Sequence, residues 1–131
     1  MIVVEDKLGI TKYLEDKKII VSAYKGRVDI DMSFDHLAKV IEFYKHNEVR
    51  AAIIDLRELY GSFAVVMDYL GKAFYPIAIK SGLKAQAYIL KNDLIIENLA
   101  SKLQMLTKKF NVEARTFYTK EEANQWINSI I

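Results

Sequence analysis

The feature that most constrains the fold is an alternation of two periods along the chain. Short β-rich runs, IIVSAY (19–24), AAIIDL (51–56), AQAYIL (85–90) and ARTFY (114–118), are each followed by apolar residues at helical spacing. The last such pattern is TKEEANQWINSII. Strands and helices that alternate in this way bury their apolar faces by laying helices on a largely parallel sheet. The 131 residues suit one domain, 1–131, with a single core. With 52% apolar and 27% charged residues the chain reads as globular, and one Pro and five Gly leave no flexible linker.

The runs GITKYLE and KKIIVSAYKG flank a short polar connection at Asp16-Lys17, which suits an antiparallel hairpin. The second run is apolar on both alternating sets, as an inner strand covered on both faces would be; Gly26 is expected to end it. Phe34, Leu37, Val40, Ile41 and Tyr44 fall on one helical face, with Ser33 or Asp31 as the cap. VRAAIIDL is then a buried parallel strand. Ser62 is placed to cap a helix over 62–75 carrying Phe63, Val66, Met67, Leu70 and Phe74 inward, and Pro76 should kink or restart it. GLKAQAYILK is the next strand. Asn92 is placed to cap a helix with Ile95, Ile96, Leu99, Leu103, Leu106 and Phe110 inward. After the strand VEARTFY, Thr119 and Glu122 form a capping box opening a helix that turns Ala123, Trp126, Ile127 and Ile130 inward. The expected fold class is α/β: a mixed, mostly parallel sheet of about five strands, an N-terminal antiparallel hairpin and four or five helices.

Composition also excludes chemistry. The absence of cysteine removes thiol catalysis, disulfides and cysteine-ligated metal sites, and is compatible with a reducing compartment. The net charge of +2 comes from Lys and four Arg scattered among nearly as many acids, without the basic face that nucleic-acid binding requires. No basic segment followed by an apolar stretch opens the chain, and no apolar run approaches the ~18 residues of a membrane span. A cytoplasmic protein without an integral membrane segment is expected. His36 and His46 lie ten residues apart on one helix and point away from each other, so they cannot share a metal as an i, i+4 pair could. No G-x-S-x-G elbow and no Gly-rich phosphate loop occurs, so no cofactor or metal is expected.

Three stretches, VRAAIIDLREL, KAQAYILKNDLIIENLASKL and ARTFYTKEEANQWI, resemble the SpoIIAA-like (STAS) superfamily, in particular its bacterial STAS/SEC14-domain proteins. Together they cover most of residues 10 to 128. The resemblance implies the SpoIIAA-like fold. Some members of that superfamily are anti-sigma-factor antagonists switched by phosphorylation of a Ser at the start of the helix after the central strand. Ser62 is the residue here that could match as regulatory phosphoacceptor, although the Asp-Ser-Ser-Gly-like motif is missing and Gly61 stands beside it.

Ligands of open α/β sheets bind at the carboxyl ends of the strands. That principle nominates Asp55, Arg57, Tyr60 and Ser62 in one loop, and Asn92 and Asp93 (beside Lys91) as a second wall. A purely structural account is also open, in which Ser62 is a cap, Asp55 bonds nearby amides and Arg57 pairs with a surface acid. The 62–75 helix lacks a polar face: Val65, Tyr69 and Tyr75 lie among Asp68 and Lys72, which suggests an interface. The leading expectation is a non-enzymatic regulatory or protein-interaction module of the STAS type, with a homodimer as the simplest assembly. The alternative is a small-ligand or lipid carrier with Phe63, Met67, Tyr69, Phe74 and Tyr75 lining a pocket and Arg57 or Lys72 near a head group. An enzyme, which would have to use Asp55, Tyr60 or His36, comes third.

Overall fold

The computed structural model describes all 131 residues. Its centre is a six-stranded sheet in sequential order: β1 (Ile2–Glu5), β2 (Gly9–Leu14), β3 (Ile19–Arg27), β4 (Ala51–Tyr60), β5 (Ala85–Ile89) and β6 (Glu113–Phe117). The first three strands pair antiparallel and the rest parallel. The expected hairpin and parallel strands are present. The sixth strand is β1, four residues too short to show an alternation, which pairs with β2. Its turn into β2 brings the backbone close to β3: a Cβ on Gly9 would sit 2.1 Å from the Ala23 carbonyl oxygen, so only glycine fits there.

The helices are α1 (Ile30–His46), α2 (Ala64–Tyr69), α3 (Tyr75–Ser81), α4 (Leu94–Lys109) and α5 (Lys120–Ile130). Alternate residues of the central strands separate two layers. Ala51 and Ile53 of β4, with Ala85, Ala87 and Ile89 of β5, pack against Ala123 and Ile127 of α5. The other set, Ala52 with Gln86 and Ile54 with Tyr88, faces a three-helix layer: α1, α4, and α2 with α3, which run on as one helix. Only one helix covers the first face, so on its β3 side Ala23 is exposed and Val21 half-buried. The expectation that β3 is covered on both faces therefore holds for Ile19 and fails further along the strand. The strand also continues one residue past Gly26.

Several caps differ from the expected ones. Asp29, rather than Ser33 or Asp31, caps α1 by accepting from the Met32 amide at 3.0 Å, and the Ser33 hydroxyl donates to the Asp29 carbonyl. Asp93, not Asn92, caps α4, its Oδ1 accepting from the Ile95 and Ile96 amides. Thr119 caps α5 as expected. Its hydroxyl accepts from the Glu122 amide and donates to the Glu122 carboxylate. Periodicity alone did not separate neighbours in α4, where Ile95 is 55% exposed while Ala100 and Thr107 are buried.

Between α2 and α3 the helix continues through a π turn over Leu70–Phe74, with Pro76 in the first turn of α3, where its missing amide costs nothing. The segment after the π turn is thus a second helix, and Gly82, at φ 116°, closes it in the left-handed conformation. The wider π turn rephases the residues that follow by one position, roughly 100°. Tyr75, expected on the outer face, is consequently buried at 1% exposure and leaves the candidate interface.

Candidate functional site

The proposed site residues do not converge. β4 runs on to Tyr60, so Asp55, Arg57 and Tyr60 belong to a strand rather than a loop. The Arg57 Nε donates to Asp55 Oδ1 at 3.0 Å and its terminal nitrogen to Oδ2 at 2.7 Å, a two-pronged pair. Burial pushes the Asp55 carboxyl up, but its bonds to the Arg57 side chain and amide outweigh that and hold it below the usual value. Lys120 and Glu121 of α5 contribute to the field at this pair, which places it on the α5 side. Ser62 is exposed one residue ahead of the α2 cap position, Phe63, and its hydroxyl accepts from the Ala64 amide at 3.2 Å. Asn92 is exposed and Asp93 is occupied as a cap. Of the helix face, Val65 is 61% exposed, Lys72 pairs with Asp68 at 3.1 Å, and Tyr69 is half-buried against the Phe34 ring.

What the structure brings together instead lies between the sheet and the three-helix layer: a cavity of about 120 Å³. Its floor is two cross-strand rows. One runs Ile20–Ala52–Gln86 and the other Ser22–Ile54–Tyr88. Its walls are His36, Val40 and Tyr44 of α1, Phe63 and Val66, Phe74 and Tyr75, and Leu103 of α4. The small Ala52 side chain at the centre of the floor leaves the room. Ile54 lies mid-way along a central strand yet is only half-buried, because its free surface faces this space. The pairing between β3 and β4 is interrupted after Ala23/Asp55, a bulge that turns Leu56 and Leu59, three residues apart, toward the same cavity.

Eighteen of the 22 lining residues are hydrophobic, and none is Asp, Glu, Lys or Arg. Two hydrogen-bonded clusters supply polar groups at the cavity. In the first, the Tyr75 and Tyr88 hydroxyls both donate to Gln86 Oε1 at 2.7 Å. Burial pushes both phenols up, that of Tyr75 to about 12, so they remain protonated donors. In the second, the buried His36 ring bonds Asp6 Oδ2 through Nδ1 at 2.9 Å and Thr11 Oγ1 through Nε2 at 2.9 Å, and Thr11 Oγ1 lies 2.8 Å from Ser22 Oγ. Asp6 belongs to the β1–β2 turn and also accepts from the Leu8 and Gly9 amides. Burial raises the Asp6 carboxyl, but the hydrogen bond and charge of His36 and these amides outweigh it and set it below the usual range. An ionised Asp6 can only accept, so the His36 ring donates to it through Nδ1–H.

The Asp–His–hydroxyl order has the connectivity of a nucleophile relay, but Thr11 is 0% exposed and its hydroxyl is engaged on both sides. The chain of bonds instead ties the β1–β2 turn and β3 to α1 at the edge of the cavity. His46 stands apart on the surface, beside Glu42.

Sequence reasoning placed Phe63, Phe74 and Tyr75 on a pocket wall, and they are there; Met67 and Tyr69 are not, and neither Arg57 nor Lys72 reaches it. It missed His36, Tyr44, Gln86 and Tyr88 as cavity groups. The available signal was a Gln and a Tyr on one face of a strand that is otherwise Ala and Ile. No helix is long and apolar enough to cross a membrane.

No protein-family model matches the chain, and no curated protein matches it. Among solved structures, one of an uncharacterised DUF3478-family protein from Shewanella loihica PV-4, described as having a SpoIIAA-like fold, superimposes with a TM-score of 0.55. It is 22% identical, and the match covers 90% of each chain. The three-helix layer over a sequentially ordered sheet, with one helix behind it, is a SpoIIAA-like fold.

Proposed function

We propose that this domain binds a small, largely apolar molecule inside the cavity between its sheet and its three-helix layer. The observation that carries this reading is unfilled space of about 120 Å³ at the centre of the larger core, under Ala52 and among hydrophobic side chains. Well-packed interiors keep few voids larger than a water molecule, and an apolar cavity of comparable size, about 150 Å³, accepts benzene. Binding without chemistry fits the site, since its hydroxyl groups are engaged with one another or face the cavity without an adjacent free base. Because no charged side chain lines the space, a lipid head group anchored by Arg57 or Lys72 is not part of this reading. Native mass spectrometry and organic extraction of freshly purified protein test it. Co-purifying mass that Ala52→Phe removes supports it; an Ala52→Phe protein that retains the same bound mass refutes it.

A second reading, docking of a protein partner or a second copy as a STAS-type regulatory module, has its own support. Tyr60 (51% exposed) ends β4, and Val65 (61%), Leu94 (79%) and Ile95 (55%) follow the carboxyl ends of β4 and β5, an apolar exposure of the kind that marks an interaction surface. Light scattering on wild type and Leu94→Lys distinguishes it: an assembly that the substitution breaks supports docking, and a monomer throughout removes the homodimer.

A further inference from the structure

The hydrogen-bond inventory of the cavity is lopsided. Two phenols donate to the single oxygen Gln86 Oε1, which satisfies their protons and saturates that oxygen. Both contacts are 2.7 Å, the usual length of an O–H···O bond and short for N–H···O, which sets the amide with its oxygen toward the phenols. The Gln86 Nε2 group, with two N–H donors, then has no protein partner, although Gln86 is only 1% exposed. Tyr44 is the second case. Its side chain is 2% exposed, it lines the same cavity, and its hydroxyl makes no hydrogen bond within the protein. Burial pushes that phenol far up, with the neighbouring Tyr75 and Tyr24 hydroxyls adding to the effect, so it too carries its proton. Its ring packs on Phe74 at 5.0 Å, Phe74 packs on Tyr75, and Tyr75 bonds Gln86, so the donor on the wall and the donor on the floor are linked through shared neighbours. Neither atom is sealed in protein; the one buried side-chain oxygen without a partner and without accessible surface is Glu97 Oε2. Donors buried away from bulk water and left unpaired are destabilising, which an occupant with the complementary group would offset.

We propose that the cavity selects an uncharged molecule with an apolar body and a carbonyl oxygen, a small ketone, aldehyde or ester, received by the Gln86 Nε2 and Tyr44 hydroxyl donors. This rests on the cavity being a binding site, and it adds the chemistry of the guest. An anion is disfavoured because no Lys or Arg lines the space, and a cation because no carboxylate does. A pure hydrocarbon fills the volume but leaves the donors unpaired.

Cyclopentane, cyclopentanone and cyclopentanecarboxylate are matched probes. Titration is followed by NMR on the methyl groups of Val40, Ile54 and Leu103, in wild type, Tyr44→Phe and Gln86→Met. In wild type both neutral probes shift these methyls and the carboxylate does not. The ratio of the cyclopentane to the cyclopentanone Kd falls about tenfold in each variant, the equivalent of one hydrogen bond. Gln86→Met strips Tyr75 and Tyr88 of their acceptor and is expected to lose stability. Tyr44→Phe removes only an unpaired hydroxyl, should melt at or above wild type, and carries the test by itself. A ratio unchanged in Tyr44→Phe overturns the carbonyl inference while the cavity remains a binding site. Carboxylate binding as tight as ketone binding overturns it as well. If no probe moves the methyls, the binding reading itself fails.

Discussion

On the α5 face of the sheet, Ala51, Ala85, Ala87 and Ala123 are all 0% exposed, and with Ile53, Ile89 and Ile127 they let helix and strands approach closely. On the opposite face of the same strands the residues are Ala52, Ile54, Gln86 and Tyr88, and above them stand Tyr44, His36 and Tyr75. Small side chains on both partners close an interface. Large polar ones hold it open, because each phenol or amide has to keep its hydrogen-bonding atom near a partner rather than fill the nearest gap. The comparison shows where a domain this small carries a vacancy: on the side where polar geometry, not volume, sets side-chain positions.

The sharpest way to break the contrast is truncation on the dry face. Ile127→Ala should cost about 2–5 kcal/mol by chemical denaturation, since the alanine-lined interface around it has little means to collapse. Enlargement separates the two faces next. Ala87→Leu, facing α5, should lose about 1–3 kcal/mol through overpacking. Ala52→Leu, facing the cavity, should leave the melting temperature level or raised and should abolish guest binding. Equal losses at the two positions would mean that the space under Ala52 cannot be used.

The carboxylates give a finer comparison. Asp6→Asn gives the buried His36 a neutral acceptor in place of a charged one and should cost about 1–2 kcal/mol at pH 7, whereas Asp55→Asn, opposite the part-exposed Arg57, should cost about 0–1 kcal/mol. Both groups titrate below their ordinary values in the folded protein. Their stabilisation is therefore complete above the unfolded carboxylate value of about 3.9 and is lost as pH falls through the lower folded values. Denaturation midpoints taken from pH 6 down to pH 2 should fall for wild type and fall less for each Asn variant. The difference should be larger for Asp6→Asn.

Much of the architecture was legible from local spacing. Short β-rich runs located β2 to β6, helical spacing located α1, α4 and α5, and the Thr119–Glu122 pair located the last helix start, because these signals are written within one or two turns of chain. The misses share a cause. The cap of α1 depended on which of several acids faced the free amides, and a single π turn rephased Tyr75 from outside to inside. The site lay still further from local reach. Asp6 meets His36 across 30 residues, and Tyr75 meets Gln86 only when a helix lies over a strand that follows it in the chain. By itself the sequence determined an α/β chain with five of its six strands, its main helices and no cysteine. Only the tertiary structure decided that one face would close on alanines and the other would stay open around Gln86 and Tyr44. A cavity is a mismatch between side-chain volumes contributed by distant elements, and no local pattern records it.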